Sequence, residues 1–141
     1  MMSLDRGTKI YAAILAGICL SLLFAWLVTL DFRVGEIDTM LKQDSQISSY
    51  PYPFRALEIQ GNTAVMSSPR SREMPAVRFI GLIRPDLKSL NDQHPKLIEA
   101  QQELAAVQSK VRKLVLSRED IDQVNWRIDK EWFAGKGIWL E

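Results

Sequence analysis

Ile-Tyr-Ala-Ala-Ile-Leu-Ala-Gly-Ile-Cys-Leu-Ser-Leu-Leu-Phe-Ala-Trp-Leu-Val-Thr-Leu, residues Ile10 to Leu30, contains no charge and no proline. A helix rises about 1.5 Å per residue, so this run reaches roughly 31 Å, the thickness of a bilayer's hydrocarbon core. It is expected to cross a membrane. Lys9 closes it on one side and Asp31 with Arg33 on the other, while Tyr11 and Trp26 lie near its ends, where amphipathic rings favour the interface. The competing reading is a cleaved secretory signal, whose apolar stretch is shorter, roughly 7 to 15 residues, and ends in a small-x-small site. Here the exit reads Val28-Thr29-Leu30-Asp31-Phe32-Arg33, with no such site. Leu15-Ala16-Gly17-Ile18-Cys19 resembles a lipidation box, yet Ile18 stands where a small residue is needed.

Within the run, Ala13, Gly17, Ser21 and Ala25 recur every four residues. That spacing puts them on one helix face, where small side chains let another backbone approach closely. The stripe is expected to pack against a helix of another membrane protein or of a second copy of this chain. Orientation is a tie on positive charge, since Arg6 and Lys9 precede the run and Arg33 and Lys42 follow it. A short N-terminal tail is most simply left inside, which puts the long C-terminal part outside the cytoplasm, at an inner membrane.

Working outward, residues 1–9 form a short tail and 31–53 a juxtamembrane segment. In the latter, Val34, Ile37, Met40 and Leu41 keep a helical spacing as far as Asp44. Tyr50-Pro51-Tyr52-Pro53-Phe54 forces an extended path and reads as a stiff linker. Residues 54–141 then form one small domain. Leu57 and Ile59 alternate with Glu58 and Gln60, Gly61-Asn62 marks a turn, and Thr63 to Met66 follow, which predicts a hairpin. Ala76 to Ile83 reads as a third strand after the loop at Ser67 to Pro75, and Arg84-Pro85-Asp86 starts a short helix through Leu90.

From Lys96, the positions Leu97, Ala100, Leu104, Val107, Val111 and Leu114 form the apolar face of a helix of about twenty residues. Ser117-Arg118-Glu119-Asp120 then resembles a capping start for another helix, with Ile121, Val124 and Ile128 on one face and Gly135 and Gly137 as its stop. The expected fold class is therefore α+β: one transmembrane helix, about three antiparallel strands, and two or three helices.

The mean hydropathy of −0.08 averages an apolar anchor with an ordinary polar domain. From Phe54 to Glu141 there are 14 basic and 12 acidic residues, a balance that excludes the strongly basic surface of a nucleic-acid binder. The single cysteine, Cys19, lies in the membrane run, so it offers no disulfide within the chain. His94, the only histidine, falls in a predicted loop. Glu119, Asp120 and Asp122 sit at a predicted helix start, where acids complement the dipole. With no phosphate loop, nucleophile elbow or Cys/His ligand set, no catalytic residue, cofactor or metal is assigned.

Two features point to contact instead. Arg70, Arg72 and Arg78 make one part of the domain basic and suit a partner's carboxylates or anionic headgroups, with local pairing to Glu73 as the plain alternative. Trp126, Trp132, Phe133, Ile138, Trp139 and Leu140 crowd apolar area into fifteen residues, which serves either as core or as a docking patch centred on Trp132 and Trp139. The sequence thus predicts a membrane-anchored, non-enzymatic scaffold, assembly factor or accessory subunit. A membrane-anchored ligand sensor is the second reading, and it requires a concave apolar pocket.

Overall fold

The computed structural model describes residues 5–29 and 32–141. The chain divides into two compact units, residues 1–32 and 33–141. The first contains helix α1, Arg6–Thr29, 24 residues long or about 36 Å. Asp5 caps it, its Oδ1 accepting the Arg6 amide at 2.8 Å and its carbonyl the Lys9 amide at 3.0 Å. Leu30 and Asp31, the end of the predicted membrane run, lie outside the described residues. Large apolar side chains project from α1 without cover: Ile10 is 56%, Leu15 64%, Phe24 70% and Val28 68% exposed. The helix is long and apolar enough to cross a membrane, a property that a signal sequence shares.

The second unit is α+β. It runs α2 (Arg33–Gln43), α3 (Ser45–Ser49), β1 (Ala56–Gln60), β2 (Thr63–Ser68), α4 (Ala76–Ile83), a 3-10 turn (Pro85–Leu87), α5 (Pro95–Leu116), β3 (Gln123–Ile128) and α6 (Lys130–Gly135). The hairpin forms as the alternation predicts. Gln60 pairs with Thr63 around the two-residue loop, and Gly61 supplies the φ of +62° that a side chain resists. The strand order is β1-β2-β3.

Two elements differ from the sequence expectation, and each difference has a physical reason. Ala76–Ile83 is helix α4, not a strand. A short apolar run fits a buried helix as well as a buried strand, and packing on α5 decides here, with Phe79 and Ile80 fully buried. Conversely, the helix expected from Ser117 is strand β3. Val124, Trp126 and Ile128 are partly buried, while Gln123, Asn125 and Arg127 stand exposed, a period of two that competes with the 3.6 spacing of Ile121, Val124 and Ile128. The sheet is consequently mixed rather than antiparallel. β3 joins β2 in parallel, Thr63 opposite Gln123 and Ser68 opposite Ile128, because α4 and α5 carry the chain back before β3 begins.

The expected α5 forms, burying Leu97, Ala100, Leu104, Val107 and Val111. Pro95 opens it, and the His94 Nδ1 accepts the Lys96 amide at 3.2 Å, so the lone histidine serves as a helix cap. The segment read as a linker contributes core: Tyr52 is fully buried, and Tyr50 and Phe54 nearly so, while Pro51 and Pro53 face out. An extended path turns alternate residues to opposite sides, so prolines outward means aromatics inward. Residues 33–43 also belong to this unit. Ile37 and Leu41 are buried, the Asp38 Oδ1 accepts the Ala56 amide at 2.8 Å at the edge of β1, and Glu36 pairs with Arg118 at 2.9 Å.

Candidate functional site

Around Tyr52 the second unit concentrates its aromatic rings. Phe54 stands edge-on to Tyr52 at 4.9 Å between centroids, Phe79 at 5.6 Å and Trp132 at 5.1 Å, and Trp132 meets Phe133 at 4.9 Å. These edge-to-face contacts match the ring quadrupoles and fix each ring's orientation. Beneath them lies an ionic centre. Asp129, at the end of β3, has a side chain only 2% exposed. It accepts two hydrogen bonds from Arg55, Nε to Oδ2 at 3.0 Å and Nη2 to Oδ1 at 2.9 Å. The Tyr52 hydroxyl donates to Oδ2 at 3.5 Å, and the Trp132 amide donates to Oδ1 at 3.4 Å, which caps α6.

Burial alone would raise the Asp129 pKa, but the Arg55 hydrogen bonds and charge outweigh it and hold the carboxyl below its ordinary value. Arg55 is driven the other way, mainly by its hydrogen bonds to Asp129, and Tyr52 is pushed up by burial. With both carboxylate oxygens engaged, this centre holds the start of β1, the end of β3 and α6 together. It ties three parts of the chain into one unit.

Next to the aromatic cluster opens a cleft of about 480 Å³, walled by Leu41, Ile47, Tyr50, Pro51, Phe54 and Trp132. Its volume lies in the range of ligand-sized sites, and its apolar walls and small polar complement, Lys42 and Ser48, fit that class. Helix α3 places Ile47 there because Asp44 caps it, accepting the Ile47 amide at 3.0 Å and holding Lys110 at 3.0 Å. The hydrogen bond from Ile47 and then that from Lys110 keep the Asp44 carboxyl below its usual value. Tyr50 is pushed up to about 12, by burial first and then by the Glu103 charge.

The residues singled out from sequence are scattered over the molecule. Trp132 is half-buried and contributes both to the cluster and to the cleft, whereas Trp139 is 82% exposed. Arg70 and Arg72 are exposed on the loop after β2. Arg78 lies on α4 and donates to the Glu73 carbonyl at 3.2 Å, so its contact with Glu73 is to the backbone rather than to the carboxylate. On α1, Ala13, Gly17, Ser21 and Ala25 are exposed, and the Ser21 hydroxyl is satisfied by the Gly17 carbonyl at 2.8 Å.

Sequence reasoning missed the Arg55–Asp129 pair, whose members lie 74 residues apart, and the cleft. A signal for the cleft existed in Tyr50-Pro51-Tyr52-Pro53-Phe54, where the aromatic alternation was overshadowed by the prolines. Among the described residues, no group of three or more His, Cys, Asp or Glu side chains is placed to hold a metal ion. Comparison of the chain with protein-family models, curated proteins and solved structures gives no match.

Proposed function

We propose that this chain is a single-pass membrane protein whose residues 33–141 form a non-enzymatic interaction module, a scaffold, assembly factor or accessory subunit of a membrane or envelope complex. The observation that carries the reading is the uncovered apolar surface of α1, with none of its most apolar stretch buried within the protein. Leaving such a surface in water costs about 25 cal/mol per Å², so lipid is its natural medium. The cleft beside Trp132 supports the second half of the reading, because a rigid aromatic wall next to open apolar volume is where a partner's side chains gain most on docking. The same cleft favours one alternative, a sensor that binds a small amphiphile there.

The test starts with the full-length chain in membranes. Retention after alkaline carbonate washing, together with an N-terminus still containing residues 10–30 by mass spectrometry, supports an anchor. Release by carbonate, or a product cleaved after the helix, overturns it. Cross-linking in detergent followed by mass spectrometry then reads partners. A stoichiometric partner lost in Trp132→Ala supports the interaction module, whereas no partner together with saturable binding of an amphiphile at the cleft supports the sensor.

A further inference from the structure

The two edges of the sheet differ. β1 is guarded: its pairing with β2 shifts register between Ala56 and Glu58, α2 packs against it, and the Asp38 carboxylate takes up the Ala56 amide. Irregularity and cover are the means by which folded proteins keep an edge from pairing again. β3, at the other end of the strand order, has neither. It runs Gln-Val-Asn-Trp-Arg-Ile in unbroken register with β2, without proline or lysine, and its one charge, Arg127, is engaged by Glu58 at 2.7 Å. The Gln123 amide donates to the Asn62 carbonyl and the Asp129 amide to the Ser68 carbonyl, so the odd-numbered residues turn their backbone towards β2. Val124 and Trp126 therefore turn theirs outward, and among the described residues no hydrogen bond reaches those groups. Helix α5 does not roof the strand either, since a cleft of about 240 Å³ stays open between them, lined by Trp126 with Ala105, Ser109 and Arg112.

An open, regular edge accepts another extended strand. We propose that the occupant is the β3 of a second copy of this chain, paired antiparallel about a twofold axis at Asn125, so that the two sheets continue as one. In that register Val124 lies opposite Trp126 of the second copy and Trp126 opposite its Val124. These are the residues whose backbone groups point outward, and each such pair exchanges N–H···O bonds both ways. The side chains fit the same register. An aromatic ring beside a β-branched side chain is a favourable cross-strand pair, Asn125 meets its own amide, and Arg127 meets Gln123, so no like charges oppose. A twofold contact has to be self-complementary, and this one is. A foreign strand would satisfy the backbone equally but brings no such match. The size of the contact also selects a copy held in the same bilayer. Six residues a side fall well below the roughly 20–30 of a stable free-standing interface, whereas anchored copies meet at raised effective concentration and need less. The proposal thus rests on reading α1 as a membrane anchor.

The experiment uses the full-length chain in proteoliposomes, in a Cys19→Ser background, with a single cysteine at exposed Gln123, Asn125 or Arg127 and a mild oxidant, read by non-reducing electrophoresis. At the axis the two copies of residue 125 form a non-hydrogen-bonded pair with Cα atoms about 4.5 Å apart, within disulfide reach. The two copies of residue 123, or of 127, are offset by four positions and lie about 13 Å apart along the strands. The expected result is a disulfide dimer that forms at least about tenfold faster from Asn125→Cys than from Gln123→Cys or Arg127→Cys. Val124→Pro, which deletes an outward donor and leaves the bonds to β2 in place, should slow that cross-link about tenfold. Gln123→Arg, a change at an exposed position that spares the fold, sets like charges opposite each other and should slow it severalfold. Equal rates at the three positions, or a rate that ignores both variants, overturn the proposal, as does no dimer from Asn125→Cys. An adduct of Asn125→Cys with a different protein in the membranes of the expressing cells, in place of the dimer, overturns it in favour of a foreign strand. Carbonate washing of the same liposomes tests the anchor separately: a retained chain without the dimer sinks the edge pairing and leaves the anchor standing.

Discussion

Replacing Asp129 by alanine removes the acceptor of four hydrogen bonds from three residues, Arg55, Tyr52 and Trp132, and the structure allows its cost to be worked out. Removing one partner of a buried pair costs about 3–5 kcal/mol, because the other charge is left stranded. Here the stranded Arg55 is 40% exposed and keeps Glu131 at 3.2 Å, so water and the remaining acid take up part of the loss. The Trp132 amide loses its cap and the Tyr52 hydroxyl its acceptor. A net cost of about 3 kcal/mol follows, which for a unit of this size lowers Tm by roughly 10–20 °C. Asp129→Asn keeps an acceptor for the Trp132 amide but sets an NH2 donor against Arg55, so it should recover only the cap, about 1 kcal/mol of the loss. Thermal unfolding of the full chain in detergent, followed by tryptophan fluorescence, measures both.

The pH dependence gives an independent check. Because the folded-state pKa of Asp129 is depressed, its contribution is fully present above the unfolded value of about 3.9 and fades as pH falls through the lower folded value. The gap between wild type and Asp129→Asn should therefore be constant near neutrality and narrow below about pH 4. A Tm shift under about 3 °C for Asp129→Ala, or a gap that widens in acid, would refute the account of this centre.

Leu104→Ala, at a fully buried position of α5, should cost about 2–5 kcal/mol, seen as a lower urea midpoint with unchanged slope. Gly61→Val, at φ +62° in the hairpin loop, should cost at least about 1–2 kcal/mol by the same measurement, although nothing crowds the site. Gly17→Leu should leave the stability of residues 33–141 untouched while weakening helix pairing in the membrane, read by disulfide cross-linking of Ser21→Cys in a Cys19→Ser background; equal cross-linking would remove the small-residue face from the argument.

Legibility in the sequence followed the range of the interactions. The hairpin at Gly61 and the long helix α5 were readable because each is decided within a few residues by alternation, periodicity or glycine. Ala76–Ile83 and Gln123–Ile128 were misread because each pattern fits two periods and the choice is made by distant partners: α5 for the first, β2 for the second. The ionic centre was invisible for the same reason, since nothing near Arg55 in the chain announces Asp129. Trp132 stood out as a large aromatic side chain, but its neighbours Tyr50 and Phe54 were discounted because prolines separate them. Proline constrains φ and leaves the burial of its neighbours free.

The parallel pairing of β2 with β3 bears on how the domain comes into being. The hairpin can zip as soon as Ser68 is available, but two strands alone are marginal in water. Its missing neighbour begins at Gln123, 60 residues beyond Thr63, with two helices to be laid down first. Until then the flank of β2 stays unclosed, a hazard that slow long-range pairing prolongs. The same wiring has a constructive side. A protease cut in the exposed loop at Arg70 to Glu73 would separate β2 from β3 in the chain but not in the sheet, so the two fragments should remain joined and be able to reassemble after mixing.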